Sequence, residues 1–190
     1  MNARLLKEFK ILFEGEKNLK SYTNYFIALR DWVINNKYLF INELEKNIRL
    51  KMLIQINIDN YDLETIGRKN ISLLYEKERI TGRRYKTTED LLEEIDYTLW
   101  NMVAIEADLE CDCIDSDLRY IKIQEDGCYE ILIKCDFCGQ IYNINGVKKN
   151  TEIKEYTPAT SLELQHLKSI ALLDTINENP NHPAMMGRIE

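Results

Sequence analysis

The chain has 190 residues, enough for one domain with a full core or for a core plus a small satellite. Its 45% hydrophobic and 30% charged content is ordinary for a globular protein, and no apolar run approaches the roughly 20 residues of a membrane span. A net charge of −7 argues against a broad nucleic-acid surface, and seven glycines without a clustered run exclude a glycine-rich phosphate cradle.

The first ten residues are amphipathic and interrupted by charge, unlike a secretory signal, so a cytoplasmic, reducing compartment is expected. From residue 3 to about 108 the apolar period is helical. Leu5, Phe9 and Leu12 start it, and the stretch should stop near Gly15. Leu19, Tyr22, Phe26, Leu29 and Val33, widened by Tyr25 and Trp32, predict a core-facing helix over residues 18–35. Leu44, Ile48 and Met52 continue the pattern. The run from Leu53 to Ile58 alternates enough to fit a strand and is read as helix. Residues 61–80 read as one helix or as two broken near Gly67. Thr87 or Thr88 is a good N-cap, with Glu89 and Asp90 in the first turn, for a helix carrying Leu92, Ile95, Leu99, Met102 and Val103 to about residue 108.

After that the period falls to two. Leu118 to Gln124 and Cys128 to Lys134 are strand-like and joined by Glu125-Asp126-Gly127, a hairpin signal. Gln140 to Ile144 is a further strand running into the Asn145-Gly146 turn, with Ile153 to Tyr156 as the expected partner. Thr160 and Glu163 form a capping box for a last helix, Leu162 to about Ile176, with Leu167, Ile170, Ala171 and Leu173 on its apolar face. These elements predict an α+β fold. Its parts are a helical body at 1–108, a small antiparallel β module at 109–156, a C-terminal helix at 157–177 packing on the body, and a disordered tail at 178–190.

Four cysteines carry most of the recognisable chemistry. Cys111, Cys113, Cys135 and Cys138 read C-x-C, 21 residues, then C-x-x-C followed by Gly139. Two close thiol pairs flanking a hairpin supply the four ligands of a tetrahedral zinc site. Over about residues 109–147 this pattern resembles the zinc ribbons, small β modules with a four-thiolate metal. The first pair departs from the family in having only Asp112 between its cysteines. In an extended segment residues i and i+2 point the same way, so Cys111 and Cys113 can reach one ion; Cys128, Asp112 or Asp115 could replace a ligand. Four thiolates leave no position for water, so the resemblance implies a structural metal.

From Glu106 to Gln140 there are ten Asp and Glu against three Lys and Arg, which would repel phosphate. Asp112, Asp115 and Asp117 are the candidate partner-binding residues. Residues 68–86 carry the opposite excess, seven basic against two acidic side chains, with Tyr85 as a stacking candidate. A solvated helix end is the more ordinary account of that segment. His166 and His182 have no ligand spacing, and no nucleophile elbow, P-loop or dinucleotide fingerprint appears, so no catalytic residue is expected. The leading expectation is a non-catalytic protein that binds a protein partner. In size, charge and biased composition it is similar to the acidic immunity and antitoxin proteins that neutralise basic toxins. A nucleic-acid-associated regulator using residues 68–86, and an enzyme with a dispersed site, are the alternatives.

Overall fold

The computed structural model describes residues 3–13, 20–125, 128–153 and 155–178. Gly15, Leu19 of the helix expected over residues 18–35, Asp126 and Gly127 of the expected hairpin turn, the tail from residue 179 and His182 lie outside the described residues, as do the side chains of Ile170, Ala171 and Leu173.

The architecture is α+β. Helices α1 (Ala3–Ile11) and α2 (Tyr22–Asn36) begin the body; Ser21 caps α2 by accepting from the Asn24 N–H. The stripe read from the sequence is the buried face: Tyr22, Tyr25, Phe26, Leu29, Trp32 and Val33 are all in the core. The following stripe does not form one helix. Asn47 accepts from the Leu50 N–H and so separates α3 (Ile41–Lys46) from α4 (Ile48–Leu53). The register moves with that break, burying Leu44, Leu50 and Leu53 and leaving Ile48 exposed.

Two further readings are corrected. Residues 54–58 are not helical beyond Leu53. The chain turns there, and Asn57 accepts from the Asp59 N–H to start a single 3-10 turn at Ile58–Asn60. The break within 61–80 falls at Ile71 and Ser72, between α5 (Leu63–Asn70) and α6 (Leu73–Gly82), with Ser72 capping α6. Gly67 lies inside α5, where a β-carbon would meet the Tyr22 ring at 2.4 Å. It permits a close helix approach and does not end a helix.

Helix α7 (Thr88–Val103) opens with a reciprocal capping box between Thr87 and Asp90 and is buried along most of its length. It stops at Val103, five residues before the expected end. The chain then extends, and Ala107 donates to the Leu118 carbonyl.

Five strands follow: β1 (Leu118–Glu125), β2 (Cys128–Cys135), β3 (Ile141–Tyr142), β4 (Lys148–Lys149) and β5 (Thr157–Pro158). They make one sheet in the order β4-β3-β2-β1-β5, each neighbouring pair antiparallel. The expected partner for β3 is corrected. The Asn143 backbone N–H donates to Val147, and Gly146 takes φ 78°, so the chain returns at once and β4 is the neighbour. The segment after Ile153 reaches the opposite edge, where Thr157 and Pro158 pair with β1.

The sheet has two occupied faces. Ile121, Leu132 and Ile141 join the same core as the helices, so the main core runs across the change of secondary structure near residue 109. Leu118, Ile133, Cys135 and Tyr142 form a second, smaller core with Ala107, and Cys111, Cys113 and Tyr120 pack against it. A separate compact unit begins at Thr160. Its described part is helix α8 (Ser161–Glu178), capped by the expected reciprocal bonds between Thr160 and Glu163.

Candidate metal centre

The four cysteines meet on the small-core side of the sheet. Cys135 ends β2, opposite Leu118 at the start of β1, and the turn after it presents Cys138. That turn is tied by the Cys135 N–H to the Gln140 carbonyl and by the Gly139 N–H back to the Cys135 carbonyl. Gly139 sits at φ 76°, in the left-handed region where glycine carries no side-chain penalty. The first pair comes from the loop after Ala107, where the Cys111 N–H donates to Ser116 Oγ at 2.9 Å and Lys148 of β4 pairs with Asp112. The two loops are brought together by the β1/β2 ladder, as the hairpin reading anticipated.

All four sulfurs lie within 4.8 Å of one another. The nearest contacts run between the loops, Cys111 to Cys138 at 3.5 Å and Cys113 to Cys135 at 3.6 Å. Four sulfurs bound tetrahedrally to zinc at about 2.3 Å would stand about 3.8 Å apart, whereas a disulfide needs about 2.05 Å. All four are free thiols.

Donors surround the sulfurs. Cys135 is buried, yet its thiol is held below the usual range because the N–H groups of Cys138, Asp117 and Phe137 point at its sulfur. The Gln140 N–H bonds Cys138 and the Cys113 N–H bonds Cys111. Tyr142 donates its hydroxyl to Cys111 Sγ at 3.2 Å, and that bond, first among the causes, holds the Cys111 thiol down to about 6. Burial, reinforced by the neighbouring thiols, pushes Cys113 up to about 12. Sulfurs crowded this closely cannot all carry charge without a cation among them. Oriented N–H and O–H groups are the outer contacts that metal-bound thiolates need.

Of the possible substitute ligands, Cys128 is remote. It opens β2 while Cys135 closes it, seven residue steps or about 23 Å along the strand. Asp112 is held by Lys148, and Asp117 by Arg119. Asp115 is exposed, with its carbonyl facing Cys113 Sγ at 3.6 Å.

Three of the seven basic side chains of residues 68–86 are engaged in ion pairs within the fold. Lys69 pairs with Glu106, while Arg79 and Arg83 pair with the buried Glu94, and Arg79 also with the buried Glu76. Tyr85 is buried beneath the Arg83 guanidinium, so the expectation that it could stack on a base is corrected. His166 is exposed on α8.

Asp96 and Asp136 are two acids that the fold largely buries. Burial pushes both carboxyls up. Asp96 lines a cleft of about 420 Å³ with Glu43, Glu89, Glu93 and Arg49. Arg49 binds it through both Nε and Nη2, at 3.0 and 2.8 Å, an ion pair within the fold that occupies the carboxylate. Sequence reading missed Asp136. It sits between Cys135 and Cys138, receives the Trp100 indole N–H, and lies 3.6 Å from Arg49.

Compared with family models, curated proteins and solved structures, the chain matches none. No helix among the described residues is long and apolar enough to cross a membrane.

Proposed function

We propose that this is a non-catalytic protein-binding protein whose β module is stapled by one structural zinc ion held by Cys111, Cys113, Cys135 and Cys138. The observation that carries the reading is the four-sulfur cluster, with every ligand atom within 4.8 Å and protein donors aimed at the sulfurs. Zinc fits because four thiolates satisfy its preferred coordination and suit its borderline-soft character. A closed four-thiolate shell offers no water to activate, so the metal would contribute folding energy and no chemistry. Where the sheet has only a small second core, that contribution matters most.

The binding role is supported by what accompanies the site. The loop from Glu106 to Asp117 holds six acidic residues and no basic one, and a tetrathiolate zinc adds about two negative charges. Lys148, Arg119 and Lys69 pair with three of these acids, and the remaining Asp108, Glu110 and Asp115 with the thiolates make a face that repels phosphate and speeds association with basic proteins. Inhibition of a basic toxin, in the manner of immunity proteins, is the narrower form of this reading and rests on size and charge.

Metal analysis of protein purified without added metal tests the staple. About one zinc per chain is expected, with cobalt substitution giving the absorption of a tetrahedral thiolate site. Iron in its place would change the metal, and absence of any metal under reducing conditions would remove the staple.

A further inference from the structure

We infer that the metal end of the β module is a docking surface for a basic, partly apolar protein segment, with Ile114 and Phe137 as its apolar contacts. This rests on the reading above that the four cysteines hold a metal.

Ile114 follows Cys113 and is 96% exposed, and Phe137 lies between Cys135 and Cys138 and is 62% exposed. Both therefore stand on the tips of the two cysteine loops, whose sulfurs touch across the site. Val147 and Leu109 extend the apolar area on one side. Val147 is exposed and precedes Lys148, which pairs with Asp112, while Leu109 lies against Gly146. Single exposed apolar side chains are common; here four lie on the cysteine loops and the adjoining turn before β4. The metal would fix both loops, so a partner would find the tips already ordered and lose little entropy on binding them.

Charge selects the occupant. Asp112, Asp117 and Glu106 are neutralised by Lys148, Arg119 and Lys69. Asp108, Glu110 and Asp115 are exposed and, among the described residues, without an ion pair. These three acids and the thiolate cluster surround apolar tips with negative potential. Nucleic acid and anionic membranes are repelled by that field, whereas a segment mixing Lys or Arg with apolar side chains meets both features. The exposed Tyr38, Leu39 and Ile41 form a second apolar area, but acidic and basic neighbours alternate there and select no partner.

The test uses two labelled peptides of equal length, one alternating Lys and Leu and one alternating Glu and Leu, titrated with metal-loaded protein and followed by fluorescence anisotropy. The Lys/Leu peptide should bind saturably. Ile114→Ala with Phe137→Ala should weaken it at least tenfold, and Asp115→Lys should reduce the dependence on salt. Leu74→Ala with Tyr75→Ala, an exposed apolar pair on α6, should leave binding unchanged. The cobalt spectrum of each variant reports the metal separately, so loss of the spectrum indicts the metal reading and not the surface. With the spectrum intact, the docking proposal is overturned by three results: no binding, equal loss in the α6 variant, or equal binding of the Glu/Leu peptide.

Discussion

The indole N–H of Trp100, near the end of α7, donates to the carboxylate of Asp136, which lies between Cys135 and Cys138. Arg49 of α4 reaches the same carboxylate at 3.6 Å and stacks over the Trp100 ring at 5.1 Å. The second cysteine loop is thus tied to the centre of the helical core. Asp136→Ala should weaken metal binding on the order of tenfold, since groups that orient a ligand loop contribute on that scale. Chelation should shift Trp100 emission in a Trp32→Phe background and leave Trp32 emission unchanged in Trp100→Phe. Unaltered affinity in the Asp136 variant would mean that the loop is ordered by its own backbone bonds.

Glu94 is buried on α7, where Arg79 and Arg83 both pair with it, and Glu76 shares Arg79 and accepts from Thr98. Removing Glu94 leaves Arg79 with Glu76 alone and Arg83 to turn toward water, because Arg83 is already half exposed. Glu94→Ala should cost about 1–3 kcal/mol, the discounted loss of the hydrogen-bonded charges. Urea denaturation checks this, with a loss under about 1 kcal/mol contradicting the buried-network account.

Gly67 and Gly82 make a controlled comparison. The Tyr22 ring cannot retreat from Gly67, because its hydroxyl donates to the Ile71 carbonyl at 2.8 Å. Gly67→Ala should therefore destabilise by about 1–3 kcal/mol, the usual cost of overpacking. Nothing lies within 4 Å of a β-carbon at Gly82, so Gly82→Ala should be neutral or stabilise by up to about 1 kcal/mol. Thermal melts of the two variants should move in opposite directions or differ clearly in size.

The helix caps give a pH prediction. Asp90 sits below the usual carboxylate range, chiefly because the N–H groups of Thr87 and Lys86 bond it. A folded value below the unfolded one adds stability above the unfolded pKa, and that stability is lost as pH falls through the folded value. The capping of α7 should therefore hold at neutral pH and fade below about pH 4. Thr87→Ala should cost about 1 kcal/mol at neutral pH. Asp90→Ala should flatten the acid limb of the stability profile, which denaturation at stepped pH would reveal.

Local signals in the chain identified what local physics decides. The Thr87 and Thr160 caps, the helical stripe of α2, the β1/β2 hairpin and the cysteine spacing all appear where their short-range patterns put them. Three of the errors share one cause. Asn47, Asn57 and Ser72 interrupt apolar stripes by capping backbone N–H groups, and a hydrophobic period does not register such a break. Gly67 looked like a helix breaker because its reason for being glycine is the Tyr22 ring 45 residues away in sequence. Asp136 counted as one more surface acid, although Trp100 and Arg49 bury it. The same limit hid the apolar tips: Ile114 and Phe137 stand out only once their exposure is known.

Thiol reactivity gives the sharpest test of which cysteines form the site. Cys128 is exposed at the far end of β2 and has no part in the cluster. The other four are engaged with one another and, when metal-bound, would react slowly, because a coordinated thiolate is a poorer nucleophile and is sterically covered. A thiol reagent added to native protein should titrate one fast group, and chelator should release four more. Cys128→Ser should abolish the fast phase and leave metal content intact, whereas Cys113→Ser should lower metal affinity and expose the remaining ligands. If Cys128→Ser removes the metal, or if several thiols react at once in the loaded protein, the assignment of Cys111, Cys113, Cys135 and Cys138 as the ligand set fails.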